Sequence, residues 1–295
     1  MLTFVYWNMD GDFGAQKKTS QSKKINLLRS LKNLADLYEV DLFVLAECPL
    51  SIQDMLNFLN VKNPIKFRKP TTTLCERVIL LPRFPNKFVK AKLESKYYTC
   101  RHISLPARKD FLLVAVHLGS KLWKDEDDQT LSVTGFSREI RELELKKTKC
   151  DRTIVMGDLN LHPFDTAMVG AEGMNAVMTR AIAVKGQRTM DAKPYPFFYN
   201  PMWGHFGDLT HEEFPVGHDK HQPAGTCYYW AKKSKWYFWN MFDQVLIRPA
   251  LLPHFKSENL KILHHDGVST FLNDNGEPNR SYYSDHLPIL LRLSI

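Results

Sequence analysis

Asp158 and Asn160 stand two residues apart at the close of an apolar run, in Thr153-Ile154-Val155-Met156-Gly157-Asp158-Leu159-Asn160. If strand geometry continues through them, both side chains project to one side while Leu159 points into the core. A carboxylate that positions water or a metal, next to an amide that bonds a non-bridging oxygen, suits phosphate-ester chemistry. The same residues also read as a strand cap followed by an Asx turn. Distant residues separate the two readings, because Asn8, Glu47, His117, Asp243, Asp285 and His286 also lie at or beside the ends of apolar runs. Strand ends of a sheet protein can converge on one crevice. There Glu47 and Asp285, with Asn8, offer hard oxygen ligands of the kind magnesium takes, leaving positions open for water and a substrate phosphate. His117 and His286 supply proton donors, and Asp243 beside His286 would fix its tautomer and keep it cationic.

The elements that must position these groups follow from periodicity. Residues 2–7 read as an opening strand that ends at Asn8, and residues 41–47 as a second that ends in Glu47 before Cys48-Pro49. Between them, Leu27, Leu31, Leu34 and Tyr38 repeat at helical spacing over 23–38. Ser51 is placed to cap a short helix ending at Leu59, and residues 77–81, 97–105 and 111–117 read as strands. A long helix is expected over 131–150, acidic before its start and ending in Lys146-Lys147-Thr148-Lys149. Strand–helix alternation to residue 163 predicts an α/β arrangement. The later half is irregular up to strands over 238–248 and 287–293.

A chain of 295 residues, 44% hydrophobic and 24% charged, buries a large core and is neither disordered nor low in complexity. The absence of a long apolar run predicts no membrane span, and residues 1–7 are too short for a signal peptide, so a cytoplasmic protein is expected. Five scattered cysteines without C-x-x-C spacing argue against a disulfide framework and a thiolate zinc site. The net charge of +8 favours a polyanionic partner, with nucleic acid first.

The ordered blocks Trp7-Asn8, Leu45-Ala46-Glu47, Val116-His117-Leu118, Gly157-Asp158-Leu159-Asn160, Phe242-Asp243-Gln244-Val245 and Ser284-Asp285-His286 resemble those of the endonuclease/exonuclease/phosphatase superfamily, over nearly the whole chain. That superfamily includes deoxyribonuclease I, abasic-site endonucleases, sphingomyelinases and inositol phosphatases. The resemblance implies a deoxyribonuclease I-like α/β four-layer sandwich, two packed β-sheets flanked by helices, with the site at one end of the sheets. It implies one domain over 1–295, with a variable substrate-facing segment around 186–240. It also implies roles: Glu47, Asn8 and Asp285 on magnesium, for which manganese can substitute; Asp158 activating water; Asn160 and His286 on the phosphate; Asp243 orienting His286. His117 would be the acid near the leaving oxygen, oriented by Glu76. Abasic-site endonucleases tend to carry tyrosine where His117 stands, so the histidine leans toward the other branches.

Two segments bear on substrate. Residues 227–239 interleave aromatics with Lys232, Lys233 and Lys235 in what reads as a hairpin, suited to phosphate contact and base stacking or, equally, to packing. Arg101 and Trp239 join those lysines as candidate substrate contacts. His205, His211, His218 and His221 lie among acidic residues but fit no standard zinc spacing, and read as a solvated loop. The expected activity is magnesium-dependent hydrolysis of DNA or RNA phosphodiesters. Its alternatives are a phosphatase or phosphodiesterase of a small or lipid phosphoester, and a catalytically silent nucleic-acid-binding module.

Overall fold

The computed structural model describes residues 1–11, 19–69, 74–119, 126–207, 223–229 and 237–295. In chain order the first strands are β1 (Leu2–Asn8), β2 (Leu42–Ala46), β3 (Val78–Pro82), β4 (Val89–Glu94), β5 (Tyr98–Ile103), β6 (Phe111–His117), β7 (Thr153–Asp158) and β8 (Ala176–Val177). There follow β9 (Gln187–Met190), β10 (Lys193–Pro196), β11 (Phe198–Tyr199), β12 (Cys227–Tyr228), β13 (Trp239–Asn240), β14 (Asp243–Ile247), β15 (Leu260–Ile262) and β16 (Ile289–Leu293). One sheet has the order β15-β16-β1-β2-β3 and a second the order β4-β5-β6-β7-β14-β11-β8; β9–β10 and β12–β13 are separate hairpins.

Alternation along the strands explains the layers. In β1, Phe4 and Tyr6 pack between the sheets against Leu113, Ala115, Ile154 and Met156 of the second sheet. Val5 and Trp7, on the opposite face, pack on the helices α1 (Gln21–Leu37) and α2 (Ile52–Leu59). In the second sheet, Val114, Val116 and Val155 face outward onto Val133, Phe136 and Ile140 of α3 (Glu126–Glu142). The central strands β1, β2, β6 and β7 are buried along their whole length, which is why they read as near-continuous apolar runs. The result is the helix–sheet–sheet–helix sandwich expected from the sequence. Each large apolar side chain removed from water in these layers contributes about 2 kcal/mol.

Local differences from the sequence reading have physical causes. The helix expected over 131–150 begins earlier and turns at Leu143 into a π-helical segment (Leu143–Thr148), where Thr148 Oγ1 bonds the Leu143 carbonyl at 3.0 Å. In that segment Glu144 is buried and grips the Arg248 guanidinium at 2.8 and 3.0 Å, while Arg248 lies 3.6 Å over the Phe198 ring. The strand expected over 238–248 is interrupted: Phe238 has a φ of 60°, and β13 and β14 belong to different sheets. Strand β4 was not visible in the sequence, because Lys90, Ala91 and Lys92 are exposed on an edge and break the apolar pattern. No helix among the described residues is long and apolar enough to cross a membrane.

Strand β6 runs parallel to β7 with His117 opposite Asp158. Gly157 makes that register attainable: its φ is 153°, and a Cβ there would lie 1.9 Å from the Val116 carbonyl oxygen. Gly157→Ala should therefore cost about 3 kcal/mol of stability and push Asp158 away from His117, read as a lowered urea midpoint at unchanged slope. A midpoint equal to that of the parent protein would show that the two strands do not need this glycine.

Candidate active site

Strand direction alone brings the polar ends together. Because β1 runs parallel to β2 and β6 to β7, Asn8, the position after Ala46, His117 and Asp158 all lie at C-terminal ends on one side. Strands β14 and β16 run antiparallel to β7 and β1, so their N-terminal ends, at Asp243 and just after Asp285-His286, fall on the same side. Asp243 is the register partner of Asp158. Contacts then join the two sheets. Asn8 Nδ2 donates to Asp158 Oδ2 at 3.0 Å, and His117 Nε2 lies 3.3 Å from Glu47 Oε1 and 3.6 Å from Asp158 Oδ2. His286 Nδ1 and Asp243 Oδ2 are 2.7 Å apart.

The loop after β7 departs from the expected geometry. Strand structure stops at Asp158, Asn160 takes a φ of 52°, and its backbone N–H donates to Asp158 Oδ1 at 2.8 Å, so the Asx turn forms at a residue that also faces the site. Asn160 Nδ2 donates to the Leu118 carbonyl at 3.0 Å, leaving one amide hydrogen for another partner.

Burial and mutual repulsion set the charges. Burial, followed by the nearby Asp10 and Asp285 charges, pushes the half-buried Glu47 carboxyl up to about 7 against the opposing pull of His286 and Arg77. Burial and the Asp243 charge push Asp158 up to about 7 as well. Burial, with Arg77 and His286 nearby, drives His117 down to about 3, so its ring is neutral at physiological pH. The carboxylates facing Nε2 favour the tautomer with the proton on that nitrogen, which makes His117 a neutral donor. For His286, burial opposes charge, but the Asp243 charge and hydrogen bond and the neighbouring Cys227 outweigh it and hold the pKa well above the ordinary value.

The arrangement fits a divalent cation. Asp243 Oδ1 is buried with no hydrogen-bond partner among the described residues, and the neighbouring carboxyls of Glu47 and Asp158, raised mainly by burial, lie close enough to act on one another. Ligand atoms of Asp158, Asp243 and His286 lie within 4.8 Å of one another. His286 Nδ1 is already committed to Asp243, so the partly exposed Glu47 and Asp285, which act on each other, form the more open position. Asp10 is a member that the sequence did not reveal. Arg280 forks onto it at 2.8 and 2.8 Å, Lys23 reaches it at 3.1 Å, and it acts on both Glu47 and Asp285. Its one signal is its place two residues after Asn8, followed by Gly11, whose amide donates to the Glu47 carbonyl at 2.7 Å.

Glu76 and Arg101 are not brought to the site. Glu76 is exposed before β3, and His117 Nδ1 has no partner among the described residues, so Glu76 does not orient that ring. Arg101 is fully buried opposite Leu113, four residues down β6 from His117, and is paired with Glu94, which removes it from substrate reach. Trp239 is half-buried in the β12–β13 hairpin, its ring 5.4 Å from that of Tyr228. Lys232, Lys233 and Lys235 lie outside the described residues, as do His211, His218 and His221; His205 is half-buried with its pKa lowered by burial.

A group whose folded pKa is raised binds more protons in the folded than in the unfolded state, so its contribution is full at acid pH and lost as pH rises through the folded value. For Glu47 that window runs from about 4.5 to about 7. In EDTA, Glu47→Gln should match the parent melting temperature at pH 4.5 and exceed it above pH 7. The same difference at both pH values would mean that this carboxyl is not crowded by its neighbours.

No protein-family model and no curated protein sequence matches this chain. Solved structures do. D. rerio TDP2 complexed with single strand DNA product aligns over 100% of this chain and 99% of its own, at 17% identity and a TM-score of 0.55. An endonuclease/exonuclease/phosphatase family protein from Leptotrichia buccalis covers 100% of both chains at 10% identity and a TM-score of 0.56. One from Bacteroides thetaiotaomicron covers 99% of this chain and 94% of its own, at 13% identity and a TM-score of 0.54. The chain has the fold of the endonuclease/exonuclease/phosphatase proteins, with its cluster of strand-end carboxylates and histidines at one end of the two sheets.

Proposed function

We propose that this protein is a magnesium-dependent phosphodiesterase that hydrolyses nucleic acid. The observation that carries the reading is the convergence, from strand ends of both sheets, of Asn8, Glu47, His117, Asp158, Asp243 and His286. Glu47, with Asp285 and Asn8, would hold the metal. Magnesium, or manganese in its place, supplies a hard cation that neutralises charge on phosphate oxygens. Asp158, fixed by Asn8 and by the Asn160 amide, takes the proton of the attacking water, and its pKa near 7 suits a general base at neutral pH. The His286 imidazolium, held by Asp243, and the remaining Asn160 amide hydrogen bind phosphate oxygens. His117 donates a hydrogen bond from a neutral ring toward the departing oxygen, which takes a proton from solvent as its bond to phosphorus breaks, while Asp158 returns the water's proton to solvent.

Nucleic acid as the substrate is supported by the net charge of +8 and by the fold shared with a protein complexed with single strand DNA product. The test is hydrolysis of single-stranded and duplex DNA, RNA, and a small phosphate monoester, each with magnesium and with EDTA. Cleavage of a nucleic acid should require magnesium or manganese, and Glu47→Gln should lower kcat by more than roughly a hundredfold while the melting profile stays cooperative. Turnover in EDTA, or by zinc alone, would remove the assigned metal position. Cleavage of only the monoester would replace the nucleic acid with a small phosphoester.

A further inference from the structure

An imidazole, a carboxylate and a thiol meet at the end of the second sheet remote from Asp158. His102 is the penultimate residue of β5, Asp110 immediately precedes β6, and Cys150 lies just ahead of β7. Because β5 runs antiparallel to β6, with His102 opposite Leu112, and β6 runs parallel to β7, all three fall at the same end of these strands. One ligand atom from each lies within 4.8 Å of the other two, and His102 Nε2 is 2.7 Å from Asp110 Oδ2. Separations of 8 and 40 residues hide the group from any motif in the sequence.

The backbone and one arginine hold the three in place. Lys149, with a φ of 55°, ends the π-helical segment, and the Cys150 N–H donates to Thr148 Oγ1 at 3.3 Å. This turns the Cys150 thiol inward, where it is 1% exposed and donates to the Asp110 carbonyl at 3.9 Å. Arg152 grips Asp110 from the other side: its Nε donates to the carbonyl at 2.6 Å and its Nη2 to Oδ1, which leaves Oδ2 turned to His102. The His102 and Asp110 side chains are 18% and 37% exposed, so the group has a buried floor and a mouth open to water.

We propose that His102, Asp110 and Cys150 bind a zinc ion that clamps β5 to the starts of β6 and β7. Zinc takes sulfur, nitrogen and oxygen at about 2.0 to 2.3 Å, which sets tetrahedral ligand atoms about 3.3 to 3.6 Å apart, so shifts of roughly an ångström close the shell around it. Water from the open mouth fills the fourth position. As zinc binds, the Cys150 thiol gives its proton to solvent, and His102 offers the Nε2 lone pair with its ring proton on Nδ1. Arg152 and Lys90, the register partner of His102, repel a cation held by charge alone, which disfavours magnesium. Zinc is retained through its bonds to sulfur and nitrogen. This site shares no residue with the cluster at Asp158 and does not depend on the phosphodiesterase reading.

The test is metal titration of the chelator-stripped protein under a phosphine reductant, with cobalt(II) and then zinc. The parent should show the charge-transfer absorption of a cobalt-bound thiolate, and zinc should erase it. Cys227→Ala should keep the band, and Cys150→Ala should lose it. His102→Ala and Asp110→Asn alter partly exposed residues and should each weaken zinc affinity at least roughly a hundredfold. Zinc should raise the melting temperature of the parent and of Glu47→Gln, but not of His102→Ala. No thiolate band in the parent, a band that survives Cys150→Ala, or equal zinc affinity in the parent and His102→Ala would overturn the site.

Discussion

Asp243 has no contact with water, and a carboxylate in that position must be neutralised or matched by a cation. Its match is His286, 2.7 Å away, and the pair spans the sandwich: Asp243 opens β14 in one sheet and His286 leads into β16 in the other. The registers on either side follow from this. Strand β14 must sit on β7 with Asp243 opposite Asp158, and β16 must sit on β1 so that the Trp7 indole N–H reaches the His286 carbonyl at 3.0 Å. A slip by one residue in either sheet would turn one member of the pair to the outer face and leave the other charged and alone. The ion pair is thus a constraint on the docking of the two sheets as much as a chemical device.

The same end of the molecule gathers buried carboxyl groups close to one another. Glu47 and Asp158 are both pushed up to about 7, and Arg280 and Lys23 are spent on Asp10 at the rim. Stability is held elsewhere, in the three apolar layers and in closed contacts such as Glu144–Arg248 at the far end of β14. This division lets a destabilised cluster persist, because strain at a site is tolerated where the surrounding structure over-determines it.

How much of this was legible in the sequence depended on the kind of signal. The strands buried on both faces announced themselves as apolar runs, and the polar residue that ends each run marked the site, which is why Asn8, His117 and Asp158 were placed by sequence alone. Edge strand β4 and the short strands β8 and β11 carry no such run, and their pairing is set by neighbours far along the chain. Residues whose role lies in a tertiary partner were misread for the same reason. Arg101 is basic and sits on a strand that reaches the site, yet its side chain faces the core and is paired with Glu94. Asp10 lies in a loop without periodicity, and only folding brings Arg280 to it from 270 residues away.

The central claim is that Asp243 holds His286 as an imidazolium through neutral pH. The direct measurement is a titration of the His286 ring by 15N NMR in the metal-free protein, with and without Asp243→Asn. The account predicts that the parent ring stays doubly protonated as pH passes 7, and that the variant, still folded, titrates at distinctly lower pH. Identical titrations in the two proteins, or a neutral ring in the parent at pH 7, would contradict it.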